Sequence, residues 1–455
     1  MVNVSGNAEA VRRGEIGAVE VIASALDRSK SYQDTLNAYT LIDEERALAR
    51  AKIIDQLVAR GQDPGPLAGV PIALKDLIDQ AGLPTTCGSG FYKRIADRSA
   101  TIVERLEAAG AVIIGRTGLH EFAYGFSSEN HWFGPVRNPW DTQTSPGGSS
   151  GGSAVAVAAG LAAAAIGTDT GGSVRVPAGM CGVVGLKVTH GRVPLTGVFP
   201  LAKSLDTVGP LGRSVEDVTL LYTALAGHDP HDPWSAPRPV PIPDEARADL
   251  SGIRIGLPQP WITDAPAAPN VVTAFATAID RISDAGAIVT ELRAPTLVPS
   301  RYGGWIVGGE AANVHRPWFG NRPYGPAVAE RLRTAFDITI DQYIDALEWT
   351  AKLRNATALA FQDVDLLLTP TVAATRKTIG EPTIDGVPYR RVLSWFSSLV
   401  NHMGVPALSV PLRAPGTPPP SLQLIAPRWA EHRLLATGRA LENLRIAAFS
   451  PPPIP

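Results

Sequence analysis

The sequence is poor in cysteine and has no excess of basic residues, and both shortages exclude classes of function. Its 455 residues include two cysteines, Cys87 and Cys181, which do not form a CxxC pair. A disulfide scaffold and a cysteine-based zinc site are therefore excluded. Lysine and arginine together number 41, against 43 aspartate and glutamate residues. The basic footprint of a nucleic-acid-binding protein is thus absent.

The sequence also lacks a long hydrophobic run. The longest apolar stretch, residues 154–167, is mostly alanine and is shorter than the roughly 20 residues that a membrane-spanning helix needs. The first twenty residues carry Arg12, Arg13 and Glu15 without the apolar core of a signal peptide. We therefore expect a cytoplasmic protein that binds neither membrane nor nucleic acid.

Helix and strand patterns alternate along the chain. Short apolar segments predict strands at 70–74, 111–114, 253–257, 287–291, 365–368, 407–410 and 422–425. Amphipathic stretches predict helices at 8–28, 44–60, 101–109, 271–285, 327–362 (in more than one piece) and 431–444. The run 154–166 predicts one Ala-rich helix with Ser153 as its N-cap. Such alternation is typical of a large α/β sheet covered by helices.

Two Gly/Ser-rich segments flank the Ala-rich run, and neither has the context of a flexible linker. The first, GGSSG at residues 147–151, formally fits the GxSxG nucleophile elbow of α/β-hydrolases. That elbow requires a strand directly before it, but residues 137–146 are unsuited to a central strand. The downstream histidines have no informative neighbours. A His-dependent α/β-hydrolase nevertheless stays open as an alternative.

The second segment, GTDTGGSVRVP at residues 167–177, is better suited to hold a nucleophile. Gly171 and Gly172 allow consecutive N–H groups around Ser173 to turn inward, forming the anion nest that an oxyanion hole requires. A serine nucleophile also needs a base. Lys75 is the candidate because it ends a buried apolar strand, where α/β active sites form and where burial lowers the pKa of a lysine.

Taken together, these segments resemble the amidase signature family of serine hydrolases. The resemblance rests on LAGVPIALKD at 67–76 and on the segments 121–141, 146–187, 204–210 and 401–411. It covers nearly the whole chain and is weakest over 225–360. It implies a single α/β/α domain at 1–450, with a large mixed, twisted sheet of about eleven strands covered by helices on both faces. Residues 451–455 would form a Pro-rich C-terminal tail.

The resemblance also implies a Ser-cisSer-Lys triad. Ser173 matches the nucleophile, Ser149 the bridging serine after a cis peptide bond, and Lys75 the general base. The N–H groups that match the oxyanion hole belong to Thr170, Gly171, Gly172 and Ser173. The residues that match a supporting polar network are Asp169 and Arg175. No metal or organic cofactor is expected, and the need for a neutral lysine predicts activity that rises towards alkaline pH.

The substrate is inferred from residues around these motifs. In the family's glutaminase branch, which serves a tRNA-dependent amidotransferase, an aspartate stands at the position that matches Ser394 here. We therefore expect a small apolar or aryl amide, or a carbamate (urethane), anilide or ester, as in an amidase, urethanase-like or carboxybiuret-hydrolase-like branch. The side chains that favour this substrate are Tyr124, Phe126, Trp132, Met180 and Trp395. The chain would be a monomer or homodimer, and the alternative is the glutaminase subunit.

Overall fold

The computed structural model describes residues 3–241, 249–413 and 417–454. Parts of the predicted domain at 1–2, 242–248 and 414–416, and residue 455 of the predicted tail, lie outside the described residues. The described helices are α1 (Val4–Arg12), α2 (Ala18–Leu36), α3 (Glu44–Ala59), α4 (Thr101–Ala108), α5 (Gly151–Ala158), α6 (Arg175–Cys181), α7 (Val215–Leu225), α8 (Pro269–Asp284), α9 (Arg301–His315), α10 (Pro326–Phe336), α11 (Ile340–Asp363), α12 (Tyr389–Ser394), α13 (Ser398–Met403) and α14 (Glu431–Asn443).

The described strands are β1 (Tyr39–Ile42), β2 (Pro71–Lys75), β3 (Pro84–Thr85), β4 (Arg94–Ile95), β5 (Val112–Thr117), β6 (Glu129–Asn130), β7 (Gly134–Pro135), β8 (Ala164–Asp169), β9 (Val184–Lys187), β10 (Thr207–Gly212), β11 (Arg254–Gln259), β12 (Ile288–Arg293), β13 (Leu366–Pro370), β14 (Thr383–Ile384), β15 (Val387–Pro388), β16 (Ala407–Pro411) and β17 (Ser421–Ile425). A single 3₁₀ turn at Glu121–Ala123 completes the described elements.

Eleven strands form one mixed sheet in the order β1-β5-β2-β8-β10-β9-β16-β17-β13-β11-β12. β2 runs parallel to both of its neighbours, β5 and β8, and β11 runs parallel to β12 and β13. The other neighbouring pairs are antiparallel. The sheet predicted from the family resemblance is therefore confirmed.

Helices cover both faces of the sheet. On β2, Ile72 belongs to one buried cluster together with Leu221 of α7, whereas the adjacent Ala73 belongs to a second cluster with Ile22 of α2 and Ile54 of α3. Successive side chains of a strand point to opposite faces, so a strand buried on both faces reads as a continuous apolar run. Within the described ranges, no helix combines the length and apolarity needed to cross a membrane.

The predicted Ala-rich helix is wrong in its second half. Helix α5 ends at Ala158, Gly160 has φ +68°, and the chain continues as β8 from Ala164. The alanines of β8 are buried because this strand lies between β2 and β10. Ser153 lies inside α5, where its hydroxyl is 2.8 Å from that of Thr117, and Ser150 takes the N-cap position instead.

The sheet topology brings the two strands that lead into the predicted site, β2 and β8, to one edge of the sheet. Because β2 and β8 are parallel neighbours, their carboxyl ends lie side by side, where α/β sheets carry their ligands. Lys75 is the last residue of β2, and Asp169 is the last residue of β8. Helix α5 leads from the first Gly/Ser segment back towards β8.

Replacement of Gly152 by alanine tests how tightly α5 is packed in this position. A Cβ on Gly152 would lie 2.5 Å from the carbonyl oxygens of Ala38 and Gly118. These are backbone atoms that cannot rotate away, so we expect Gly152→Ala to lower the free energy of unfolding by about 1–3 kcal/mol in urea titrations. The matched control is Gly304→Ala in α9, where a Cβ would have open space. An equal loss in both variants would contradict this account of the packing.

Candidate active site

Lys75 is fully buried and lies against two hydroxyl groups. Its Nζ is 2.7 Å from Oγ of Ser149 and 2.8 Å from Oγ1 of Thr168. Burial lowers the pKa of Lys75 to about 7, although the charges of Asp169 and Asp206 act in the opposite direction. A neutral amine has two N–H groups and one lone pair, so it can donate to Thr168 while accepting the proton of Ser149.

The two Gly/Ser segments meet at this lysine. The peptide bond between Gly148 and Ser149 is cis. The Ser149 carbonyl accepts hydrogen bonds from the N–H of His120 and the hydroxyl of Ser128, each at 3.2 Å. The N–H of Ser150 donates to the Ser173 carbonyl, also at 3.2 Å. The structure therefore brings together Lys75, Ser149 and the segment that carries Ser173.

A buried ion pair stabilises the second Gly/Ser-rich segment, residues 167–177. Nε and Nη2 of Arg175 donate to the Asp169 carboxylate at 3.0 and 2.9 Å, and neither side chain is exposed. The N–H groups of Gly172 and Val174 donate to the same carboxylate at 2.8 and 3.1 Å. Burial favours a raised pKa for Asp169, but the Arg175 guanidinium outweighs burial and holds this pKa well below its ordinary value. The Asp169 carboxylate thus holds the loop that carries Ser173.

Two amide side chains complete this polar network. Asn401 accepts from Nη2 of Arg175 at 2.7 Å and donates to the Asp169 carboxylate at 2.9 Å. Gln423, in the middle of β17, accepts from Nη1 of Arg175 at 2.6 Å. Sequence reasoning assigned no role to Gln423. Its signal was a buried polar residue in the otherwise apolar strand SLQLI.

The predicted oxyanion role of Gly172 is wrong. Its N–H donates to Asp169, so this donor is not free to meet a developing oxyanion. Gly172 is required for shape instead: it has φ +128°, and a Cβ there would overlap the side chain of Ser397. The other three residues of the predicted oxyanion hole, Thr170, Gly171 and Ser173, line the cavity beside the triad.

Asp206 orders the start of this loop, a role that sequence reasoning missed. Its carboxylate accepts the Thr170 hydroxyl at 2.5 Å and the N–H groups of Leu201 and Ala202. Burial raises the pKa of Asp206 to about 6, although these hydrogen bonds act to lower it. The residue was visible in the sequence as part of the 204–210 motif, but nothing there showed that it would reach Thr170.

A cavity of about 960 Å³ opens beside Ser173, and it contains three of the five predicted pocket residues: Tyr124, Phe126 and Trp395. Trp132 and Met180 lie outside its wall, so the prediction is wrong for both. The indole N–H of Trp132 donates to Glu121, and the side chain is partly exposed. Met180 is completely buried in a small apolar cluster behind the segment.

The cavity is more polar than the sequence analysis predicted. Its charged lining residues are Arg301, Glu330, Arg331, Asp337, Arg390 and Arg391. The Arg331 guanidinium lies over the Tyr124 ring, 3.9 Å from its centroid. Among the described residues, the buried Nη1 of Arg331 and the buried Nε of Arg390 have no hydrogen-bond partner. Such groups are costly to leave unpaired, so the guanidinium groups of these two lining residues have incomplete hydrogen bonding.

Replacement of Arg175 by methionine tests the buried network. Loss of the guanidinium would leave the buried Asp169 carboxylate without its charge partner, so we expect the free energy of unfolding to fall by about 3–5 kcal/mol. Combining Arg175→Met with Asp169→Asn should recover part of that loss. As a control, Arg254→Met removes the exposed pair with Asp365 and should lower the free energy of unfolding far less, because solvent screens an exposed ion pair. Equal losses for the buried and exposed arginines would refute the argument.

Comparison with known proteins identifies the family. The Amidase family profile matches residues 20–435. The A subunit of glutamyl-tRNA(Gln) amidotransferase from Carboxydothermus hydrogenoformans (strain ATCC BAA-161 / DSM 6008 / Z-2901) is 40% identical over 467 residues, covering 96% of this chain and 95% of that protein. The same protein from Thermotoga maritima has a solved structure with a TM-score of 0.81 and 30% identity, covering 96% and 95% of the two chains.

A second solved structure is still more similar. It was described as a vestigial protein complex that reveals the evolutionary origins of an s-triazine catabolic enzyme. Its TM-score to this chain is 0.92 at 33% identity, and the match covers 99% of this chain and 100% of the other.

These relatives overturn the branch that we predicted. Curated relatives at 37–40% identity bear the name of the amidotransferase A subunit. Our exclusion of that branch is therefore corrected. The predicted small apolar or aryl substrate and the predicted monomer or homodimer are corrected with it. Ser394 is a cavity residue, but Glu330 and Asp337 supply acidic groups from α10 and its C-terminal end. An acid at position 394 is therefore not required for a charged cavity. The chain belongs to the amidase signature family of amide-hydrolysing enzymes.

Proposed function

We propose that this chain is the glutaminase subunit of a tRNA-dependent amidotransferase, which releases ammonia from glutamine for use by partner subunits. The observation that carries the proposal is the cavity, which Ser173 lines together with the guanidinium-bearing Arg331 and with Glu330 and Asp337. The names of the curated relatives support the same activity. A cytoplasmic location, expected from the sequence, stays a prediction.

The proposed reaction uses Lys75 as the base. Neutral Lys75 accepts the proton of Ser149 while Ser149 accepts that of Ser173, whose Oγ then bonds to the amide carbon. The N–H groups of Gly171 and Ser173 would stabilise the oxyanion. The proton returns through Ser149 to the nitrogen, the C–N bond breaks, and ammonia leaves. Water then attacks the acyl-enzyme by the same route and releases glutamate.

The charged cavity wall would orient the rest of the glutamine molecule. Arg331 offers an unpaired N–H to the α-carboxylate, and charge-assisted hydrogen bonds of this kind are among the stronger ones in proteins. Glu330 and Asp337, which also line the cavity, would offset the charge of the α-ammonium. The α-carboxylate and the α-ammonium lie at one end of the glutamine molecule, and the reacting amide lies at the other end.

The pH dependence of the reaction tests the lysine relay. Since the pKa of Lys75 is lowered to about 7, kcat/KM should rise through neutral pH and level off above it. It should fall about tenfold for each pH unit below the pKa, because protonation removes the base. Lys75→Ala and Ser173→Ala should each abolish turnover.

A histidine base would give a different result. His402 is buried in the cavity wall, and burial lowers its pKa to about 3. If His402→Ala abolished activity while Lys75→Ala retained it, the relay would be wrong and the His-dependent alternative would return.

Hydrolysis of glutamine by the purified chain tests the substrate. Ammonia release should be measured with glutamine, asparagine and an aryl anilide, with and without candidate amidotransferase partner subunits. We expect glutamine to be cleaved in preference to the other two, and more rapidly when the partner subunits are present. Cleavage of the anilide but not of glutamine would refute the proposed function, and Ser173→Ala controls for contaminating amidases.

A further inference from the structure

We infer that Arg390 is a second carboxylate-binding residue of the cavity, which acts with Arg331 to select amides that carry a carboxylate. The inference concerns the specificity of the site under Proposed function and rests on the amide hydrolysis proposed there. It extends that proposal by assigning a binding role to a helix far from α10 in the sequence.

The first support is the position of Arg390. It lies on α12, four residues before Ser394, and both line the cavity that contains Ser173. The carbonyl of Arg390 accepts the Ser394 hydroxyl at 2.7 Å. The Ser394 hydroxyl is therefore bonded within its own helix. Helix α12 contributes two guanidinium groups to the wall, and that of Arg391 lies over the Trp395 ring, 5.3 Å from its centroid.

The second support is an unmet hydrogen bond. Nε of Arg390 and Nη1 of Arg331 are both buried, and neither has a partner within the described ranges. The guanidinium carbon of Arg390 lies 5.8 Å from the centroid of the Tyr389 ring. A ring at that distance accepts no hydrogen bond from Nε. A carboxylate has two oxygens and can accept from both arginines at once.

The third support is the electrostatic effect that the two arginines have on their surroundings. Burial lowers the pKa of Arg331, and the charge of Arg390 lowers it further although Tyr124 acts against this. Burial also lowers the pKa of His120 to about 3, with Arg331 and Arg390 the next causes. The backbone N–H of His120 donates to the Ser149 carbonyl. The positive charge of the pair therefore reaches the His120 side chain, and a bound anion would relieve the repulsion between the two guanidinium groups.

Three primary amides separate carboxylate recognition from glutamine recognition. Glutamine carries a carboxylate and an ammonium, glutarate monoamide carries the carboxylate alone, and butanamide carries neither. For the wild type we expect kcat/KM for glutarate monoamide within about tenfold of that for glutamine, and at least about 100-fold above that for butanamide. Butanamide cleaved as efficiently as glutarate monoamide would overturn the inference.

Substitution of Arg390 supplies the direct test. Arg390→Gln should raise KM for both carboxylate-bearing amides by about 10- to 100-fold, and it should raise KM for butanamide far less. Arg390→Lys keeps the charge and should recover part of the affinity. The control is Arg376→Gln, which removes an exposed arginine paired with Asp141. An unchanged KM in Arg390→Gln would overturn the inference.

Binding without turnover keeps this test separate from the proposed function. The Kd of glutarate monoamide should be measured by calorimetry for Ser173→Ala and for Ser173→Ala combined with Arg390→Gln. Weaker binding in the double variant supports the role of Arg390 even if glutamine is not a substrate. Equal binding overturns that role even if the wild type hydrolyses glutamine.

Discussion

The buried ion pair of Asp169 and Arg175 is the interaction on which the candidate site depends. It ties the carboxyl end of β8 to the first turn of α6 and fixes the backbone between them through the N–H groups of Gly172 and Val174. Asn401 and Gln423 accept two further hydrogen bonds from the arginine. A buried ion pair needs such additional hydrogen bonds to offset the loss of its hydration, and here α13 and β17 supply them. The loop around Ser173 is therefore held in part by two elements that follow it by more than 220 residues in the sequence.

Lys75 is also buried, but unlike Asp169 it has no directly bonded partner of opposite charge in the part of the chain that the structure describes. Within the described residues no carboxylate bonds to it directly, and its Nζ meets two neutral hydroxyls. The cost of burying its charge is therefore reduced by loss of a proton, and a neutral amine beside Ser149 is what the proposed relay needs. The pKa of Asp169 is held well below its ordinary value, whereas that of Lys75 is lowered to about 7, although both residues lie at the same edge of the sheet. The difference is that Asp169 has Arg175 as a partner.

Much of the fold was predictable because its signals are local or depend on recognisable motifs. The apolar segments that became β2, β5, β11, β13, β16 and β17 were predicted within a few residues. The boundary between α5 and β8 was missed, because alanine suits a helix by propensity and is also small enough for a strand buried on both faces. Trp132 and Met180 were misplaced for a related reason. An aromatic or apolar side chain near a motif can face the cavity, the core or solvent.

By itself, the sequence determined the chemistry of the candidate triad, since Lys75, Ser149 and Ser173 lie in segments whose composition and order carry the family resemblance. It also determined the α/β architecture, through the alternation of apolar and amphipathic segments. Only the tertiary structure decided which other side chains surround Ser173. Glu330, Arg331 and Arg390 reach the cavity from helices in a distant part of the chain. No local pattern encodes such contacts, because folding brings together segments that are remote from one another in the sequence.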